Sequence, residues 1–162
     1  MAAETLPFRY LAVDGPIGVG KTVLVDKLVR RFEAVKVLED VENPFLPDFY
    51  RDRPGAAFQT QMYFLLSRYK QQHEVVQQEL FQRLVISDYT FQKDRIFAYL
   101  TLSDEDLAIY DRLYTTLEPQ VPVPDPVRYL TADVDTCMAR IRKRARSFEK
   151  EISDEYMLEL ID

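Results

Sequence analysis

The chain has 162 residues and a formal net charge of −6, and its 47% apolar and 30% charged residues are typical of a folded, soluble protein. This length suits one domain over residues 1–162, and the acidic balance argues against a nucleic-acid-binding surface. No apolar run reaches the roughly 20 residues of a membrane helix, and the single cysteine, Cys137, excludes an internal disulfide and favours a reducing, cytoplasmic location.

The first half of the chain alternates short apolar runs with amphipathic stretches. We predict a strand over Phe8–Asp14, followed by a glycine loop. A helix follows over Lys21–Glu33, because apolar residues recur along one of its faces. A short strand over Val35–Glu39 comes next, and then a helix from Ala56 to about Leu80, either continuous or broken once.

The second half continues the alternation. A strand over Leu84–Asp88 is apolar enough to lie inside a sheet. Ser103 is followed by three acidic residues, which predicts a helix that is capped by Ser103 and ends near Pro119. A fourth strand over Val127–Ala132 precedes a basic helix. We therefore expect an α/β fold of three layers, in which a parallel sheet is flanked by helices.

The strongest local signal is the segment GPIGVGKT, which matches the phosphate-loop pattern G-x-x-x-x-G-K-[ST]. Glycines allow a tight turn whose N–H groups face one anion, and the following helix adds its positive end. We expect the lysine to reach the β- and γ-phosphates of ATP and the threonine to hold Mg²⁺. The predicted ATP-binding residues here are Gly15, Pro16, Ile17, Gly18, Val19, Gly20, Lys21 and Thr22.

A cluster of five cations lies in residues 140–146 of this acidic chain. Arg140 and Arg144 are four residues apart, so they share one helix face. Together with Arg146 they could form a lid over ATP that stabilises the charge of the transferring phosphate. The alternative is a solvated helix face.

Two acids end predicted strands, Glu39 and Asp88. In parallel sheets ligands bind beyond the carboxyl ends of the strands, so both acids are candidates for the catalytic base and for the Mg²⁺ ligand of a kinase. The alternative for either acid is a place on the surface. Asp14 also ends a strand. Because it adjoins the glycine loop, we expect it to cap the turn of that loop.

Gln61 and Arg68 are seven residues apart and form a polar stripe beside apolar residues of the long helix. Such a pair could bind the edge of a nucleobase. From spacing alone, an ordinary solvent boundary is the alternative. His73 has no Cys or His neighbour with which to form a metal site, so we expect it on the surface.

Five segments, in order, carry a resemblance to a known family: the phosphate loop and residues 39–46, 58–68, 87–98 and 142–149. Together they resemble the deoxynucleoside kinases, most closely the bacterial deoxyadenosine/deoxyguanosine branch. The resemblance implies a homodimer that uses ATP and Mg²⁺ to phosphorylate the 5′-hydroxyl of a deoxynucleoside. Purine deoxynucleosides are favoured, and deoxycytidine is possible.

The same resemblance implies roles for single residues on the acceptor side. Glu39 would take the proton of the 5′-hydroxyl, while Tyr50 and Glu149 would hold the 3′-hydroxyl. Asp88 would lie near Mg²⁺ and the reacting phosphate, with Thr22 as the other metal ligand.

For the nucleobase, the resemblance implies pairing with Gln61, with Arg68 and Asp94 completing the pocket. The catalytic residues implied are Lys21, Glu39, Asp88, Arg140 and Arg144.

Two departures from the family pattern concern cations. Tyr89 follows Asp88 where the family has an arginine, so one cation on the phosphate side is missing, although the bacterial branch often has this tyrosine. Ala145 replaces a glycine of the arginine segment, which is expected to stiffen it.

Two further departures concern spacing and length. The interval from Glu39 to Asn43 is one residue shorter than in many relatives, so Asp40 and Glu42 remain candidates for the base. Relatives continue beyond the position of Asp162 with a long helix and a last strand, which this sequence lacks. Either the sequence is a fragment, or ATP is held mostly by its phosphates. If the natural chain ends here, an exposed sheet edge is expected.

Two other functions stay open on the sequence. A nucleoside monophosphate kinase would need an extra anion site for the acceptor phosphate, against which the neutral Gln61 region and the acidic Asp94 argue. A non-catalytic, truncated nucleotide-binding subunit is the second alternative.

Overall fold

A four-stranded parallel sheet forms the centre of the computed structural model, which describes residues 6–81 and 83–162. The strand order is β2-β3-β1-β4, with every pair parallel. The strands are β1 (Tyr10–Asp14), β2 (Val35–Val37), β3 (Val85–Ser87) and β4 (Val127–Tyr129). Each strand is shorter than its prediction. In β1 the predicted end at Asp14 is correct, and in β2 and β4 the predicted starts at Val35 and Val127 are correct.

The helices surround this sheet. They are α1 (Lys21–Phe32), α2 (Leu46–Tyr50), α3 (Ala56–Leu80), α4 (Lys93–Thr101), α5 (Asp104–Leu117), α6 (Val134–Arg144) and α7 (Asp154–Ile161), with 3-10 turns at Glu118–Gln120 and Ser147–Glu149. The sequence predicted α1, α3, α5 and α6, and α3 runs without the break that was considered. Ser103 caps α5 as predicted, since its Oγ accepts the N–H of Asp106 at 3.3 Å. Within the described ranges, no helix has the length and apolar character needed to cross a membrane.

Both faces of the sheet are covered, because β1 is apolar on both sides. Leu11 and Val13 pack with Val25 of α1 on one face, while Tyr10 and Ala12 pack with Val75 of α3 on the other. This alternation follows from the two-residue period of a strand. The predicted three-layer α/β fold is therefore confirmed.

The strand β4 is an edge of the described sheet. Val127 and Tyr129 are 48% and 60% exposed. The chain leaves β4 for α6 through Asp133, whose Oδ1 accepts the N–H of Thr136 at 2.7 Å.

The parallel arrangement decides where the polar residues meet. The carboxyl ends of β1, β2 and β3 lie at one edge of the sheet, and Asp14, Glu39 and Asp88 lie at or just beyond those ends. Residues that are far apart in sequence are thereby brought beside the glycine loop.

Candidate active site

A cleft of about 780 Å³ opens at this edge of the sheet. Its volume falls in the range of roughly 300–1,000 Å³ that is usual for small-molecule sites. The predicted site residues that line it are Ile17, Gly18, Val19, Gly20, Lys21, Thr22, Glu39, Tyr50, Gln61, Arg68, Asp88, Arg140, Arg144, Arg146 and Glu149. Three predicted residues, Gly15, Pro16 and Asp94, lie outside its lining.

The glycine loop depends on two glycines for space as well as for conformation. Gly15 and Gly18 have φ of 147° and 80°. A Cβ on Gly15 would lie 2.5 Å from the carbonyl oxygen of Leu130, and one on Gly18 would lie 2.6 Å from that of Cys137 in α6. Glycine therefore lets the loop pack directly against the backbone of α6 and of the segment that follows β4. Cys137 is fully buried there, as expected.

Lys21 extends along this loop. Its Nζ donates to the carbonyl oxygens of Gly15 at 2.8 Å and Pro16 at 2.9 Å. Burial, followed by the charge of Lys93, lowers the pKa of Lys21 to about 8. The ammonium is thus held at an electrostatic cost, which a bound polyphosphate would offset.

Asp88 connects the loop to the chain that follows β2. Its Oδ2 accepts the hydroxyl of Thr22 at 2.9 Å, and its Oδ1 accepts the backbone N–H of Glu39 at 2.6 Å. Burial raises the pKa of Asp88. A hydroxyl and a carboxylate are therefore adjacent at the start of α1.

Asp14 caps the turn, as the sequence suggests. Its Oδ1 accepts the N–H of Gly15 at 2.8 Å, and its Oδ2 accepts the hydroxyl of Thr90. It is buried and does not line the cleft. Its role in the structure is to hold the loop.

Glu39 faces the loop across the cleft, and its side chain is 11% exposed. One carboxylate oxygen pairs with Arg68, and Oε2 accepts Nζ of Lys93 at 2.9 Å. Burial would raise the pKa of Glu39, but the charges and hydrogen bonds of Lys93 and Arg68 outweigh it and hold the pKa well below its usual range. Asp40 and Glu42 are exposed and do not line the cleft, so the geometry favours Glu39 over both alternatives.

Arg68 and Asp94 have a different relation to the cleft than the sequence implied. Arg68 is 3% exposed, lines the cleft and pairs with Asp94, which is fully buried and accepts the hydroxyl of Tyr110. Asp94 does not line the cleft itself, so its binding to the nucleobase stays a prediction. It orients the arginine that holds Glu39.

Gln61 is 2% exposed, so the solvent-boundary interpretation of this stripe is wrong. In the described part of the chain, its Oε1 and Oγ1 of the neighbouring Thr60 have no hydrogen-bond partner. Both residues line the cleft near Phe64 and Phe97. A buried amide beside aromatic rings is suited to a planar, polar-edged ligand such as a nucleobase. His73 is exposed, as predicted.

The arginines of α6 also reach the cleft. Nη1 of Arg140 donates to the carbonyl oxygen of Val19 in the loop at 2.7 Å. Arg144 forms a two-point ion pair with Glu149, whose Oε1 lies 3.7 Å from Nη1 of Arg146. All three line the cleft, as a lid over ATP requires, while Arg140 and Arg144 remain exposed to solvent, so their role as a lid stays a prediction. Ala145, which replaces the family's glycine, ends α6 with a φ of 54°, a conformation that glycine adopts at less cost.

Tyr89 does not supply the cation that the family pattern places after Asp88. It is fully buried in the core between the sheet and α3, where its hydroxyl accepts Nε2 of Gln72 at 3.0 Å. Lys93, which no sequence pattern singled out, is 7% exposed and lines the cleft. One signal was available, since Lys93 is the first residue of α4, where the positive end of the helix disfavours a cation.

Comparison with known proteins agrees with this geometry. Residues 11–162 match the family model described as deoxynucleoside kinase. The chain is 40% identical over 160 residues to deoxyguanosine kinase from Bacillus subtilis (strain 168), covering 98% of this chain and 76% of that one. It is 32% identical over 163 residues to deoxyadenosine kinase from Dictyostelium discoideum, covering 97% of this chain and 65% of that one. A solved structure of deoxyadenosine kinase from M. mycoides, with products dCMP and a flexible dCDP bound, superposes with a TM-score of 0.80 at 29% identity, over 94% of this chain and 79% of that one.

Proposed function

The chain belongs to the deoxynucleoside kinase family, and we propose that its cleft transfers the γ-phosphate of ATP to the 5′-hydroxyl of a deoxynucleoside, with purines preferred. One observation carries the assignment of the site: the phosphate loop and the carboxylate of Glu39, whose side chain is 11% exposed, line the same cleft. A phosphate donor and an alcohol acceptor can therefore meet between them.

Glu39 is the base in this proposal. Its low pKa keeps it ionised near neutral pH, so it can orient the 5′-hydroxyl and accept its proton. A strong base is not required, because phosphoryl transfer has a loose transition state in which positioning and charge stabilisation dominate.

The donor side consists of Lys21 and the arginines of α6. Lys21 would bind the β- and γ-phosphate oxygens, and Arg140 is already fixed beside the loop through Val19. Arg144 and Arg146 line the same cleft, where they would face the transferring phosphate.

Thr22 and Asp88 fit a Mg²⁺ ion. A hydroxyl and a carboxylate 2.9 Å apart match the one or two protein ligands that Mg²⁺ takes when water and phosphate oxygens complete its shell. No cluster of three or more His, Cys, Asp or Glu residues suited to a metal occurs within residues 6–81 and 83–162. A bound Mg²⁺ would neutralise the β- and γ-phosphates, and Asp88 would hold it against the loop.

The acceptor side would bind sugar and base separately. Burial raises the pKa of Tyr50 well above its usual range, so its phenol stays a hydrogen-bond donor and can bind the 3′-hydroxyl together with Glu149. Gln61 would bind the base edge through its unpartnered Oε1, between aromatic walls. Arg68 would border the base while it orients Glu39.

A substrate panel tests this function. ADP release is measured with deoxyadenosine, deoxyguanosine, deoxycytidine and thymidine, and with each monophosphate. We expect turnover with the purine deoxynucleosides and none with their monophosphates. Turnover of monophosphates alone would indicate a nucleoside monophosphate kinase, and ATP binding without turnover would indicate a non-catalytic subunit.

The pH dependence of kcat/KM for ATP should reflect the protonation state of Lys21. Because its pKa is lowered to about 8, the ammonium is lost as the pH rises through that value, well below the usual range of a lysine. We expect kcat/KM for ATP to fall above about pH 8 by about tenfold per pH unit, since this parameter follows the free enzyme. Steady-state kinetics between pH 7 and 10 measure it, and a flat profile up to pH 9.5 would contradict it.

A homodimer is also proposed. Tyr63 and Leu66 on α3, and Ile96 and Tyr99 on the adjoining α4, are apolar yet between 37% and 54% exposed. Such a face is suited to burial against a second copy. Light scattering should give twice the monomer mass, and the Leu66→Glu variant should lower it. A wild-type monomer at micromolar concentration would contradict the proposal.

We propose as well that residues 1–162 form one kinase domain, working in the cytoplasm without a nucleic-acid or membrane partner. The buried free thiol of Cys137 is in keeping with a reducing compartment. Limited proteolysis that released two stable fragments would contradict the single domain.

A further inference from the structure

Lys93 occupies a central position among the charged groups of the cleft. Its Nζ lies 2.9 Å from Oε2 of Glu39, and its charge influences the pKa values of both Lys21 and Asp88. In the proposed reaction, Glu39 belongs to the acceptor side, Lys21 to the donor side and Asp88 to the metal site. Lys93 lines the cleft together with Lys21 and Glu39, so its ammonium can reach a phosphoryl group that moves between them.

The position of Lys93 is tied to the phosphate loop through its backbone. The N–H of Lys93, the first residue of α4, donates to two atoms of Thr90, the carbonyl oxygen and Oγ1, both at 3.3 Å. The hydroxyl of Thr90 in turn donates to Asp14, the carboxylate that caps the loop at Gly15. One hydrogen-bonded chain thus sets the register of Lys93 relative to the loop.

Two arginines of the cleft are committed to ion pairs. The guanidinium of Arg68 is shared between Glu39 and Asp94, and that of Arg144 is paired with Glu149. Nζ of Lys93 has three donors, and Glu39 is its one hydrogen-bond partner among the residues that the structure describes. Two donors can therefore turn toward a ligand oxygen.

We propose that Lys93 is a catalytic residue, whose ammonium contacts the phosphoryl group during its transfer and provides the cation that Tyr89 cannot. This inference rests on the proposed function. As Glu39 takes the proton of the 5′-hydroxyl, the O–H bond breaks, the new O–P bond forms, and ADP leaves with the electrons of the bond it loses. Negative charge is then spread over the transferring oxygens, and Lys93 donates to them while still bordering Glu39.

A purely structural role must be distinguished from this one, because Lys93 also balances the buried charge of Glu39. Loss of a structural partner would lower thermal stability and raise KM for the deoxynucleoside. Loss of a transition-state contact would lower kcat and leave KM almost unchanged. The Glu39→Gln background removes the charge that needs balancing, so the effect of Lys93 can be isolated there.

The experiment has two parts. First, kcat and KM of Lys93→Met, Lys93→Arg and the control Lys70→Met, which alters an exposed lysine of α3 outside the cleft, are measured with the best deoxynucleoside of the panel. Second, binding of ADP and Mg²⁺ with and without aluminium fluoride, which mimics the transferring group, is compared for Glu39→Gln and the double variant Glu39→Gln/Lys93→Met.

We expect Lys93→Met to lower kcat about 100-fold with KM for the deoxynucleoside within about threefold, and Lys93→Arg to recover part of the loss. The double variant should lose about tenfold or more of the fluoride-dependent affinity while binding ADP alone normally. Near-normal kcat in Lys93→Met, or equal fluoride affinities of the single and double variants, would overturn the role of Lys93 alone. A wild-type enzyme that phosphorylates no deoxynucleoside would overturn the proposed function as well.

Discussion

Replacing Glu39 with glutamine is expected to lower kcat by about two to four orders of magnitude, while ATP still binds. The amide keeps the shape of the side chain but cannot accept the proton of the 5′-hydroxyl. The amide is also uncharged, whereas Lys93 and Arg68 keep the wild-type carboxylate ionised. Rapid-quench measurement of the phosphate-transfer step tests this directly.

Stability must be followed alongside activity in this variant. Removing one partner of a buried ion pair costs about 3–5 kcal/mol, although Arg68 would keep its contact with Asp94. Assays therefore belong well below the measured melting temperature of the variant. Asp40→Asn and Glu42→Gln are the matched controls, since both acids are exposed beside Glu39, and each should retain activity within about twofold. A kcat loss in either control, with normal activity in Glu39→Gln, would contradict the assignment.

Replacing Lys21 with alanine is expected to lower kcat about 100- to 1,000-fold and to weaken ATP binding. The phosphate loop would keep its backbone N–H groups, but the one lysine that lies along it would be gone. The stability effect should be small or favourable, because burial and Lys93 already penalise the charged form of Lys21. Steady-state kinetics and thermal unfolding of the same preparation measure both quantities.

Lys70→Ala provides the matched control, since Lys70 is exposed on α3 and does not line the cleft. It should leave kcat and KM for ATP unchanged within about twofold. A Lys21→Ala enzyme with normal KM for ATP and normal kcat would show that the loop does not carry the donor phosphates.

The parts of the fold that could be predicted are those with local signals. The phosphate loop has three of the four glycines of the chain at fixed spacing, and the four strands are short apolar runs next to polar ends. The helix α5 begins with a capping serine and three acids. The helices α2, α4 and α7 escaped prediction. The first and last are short, with five and eight residues, and α4 begins with a lysine, which the helix dipole disfavours.

The site could be predicted residue by residue but not as a network. Glu39 is 29 positions from Arg68 and 54 from Lys93, so no spacing in the sequence connects them. Only the parallel sheet and the packing of α3 and α4 bring these charges together. The same packing places Asp94 behind Arg68, which the family resemblance alone did not indicate.

Transfer of a labelled γ-phosphate tests the central claim most directly. The enzyme is incubated with γ-labelled ATP and either 2′-deoxyguanosine or 2′,5′-dideoxyguanosine, which lacks the accepting hydroxyl. We predict label in the 5′-monophosphate of the first nucleoside and none on the second. Label on the second nucleoside, or ATP hydrolysis at the same rate whether or not a nucleoside is present, would contradict a cleft in which a phosphate loop faces a base for the 5′-hydroxyl.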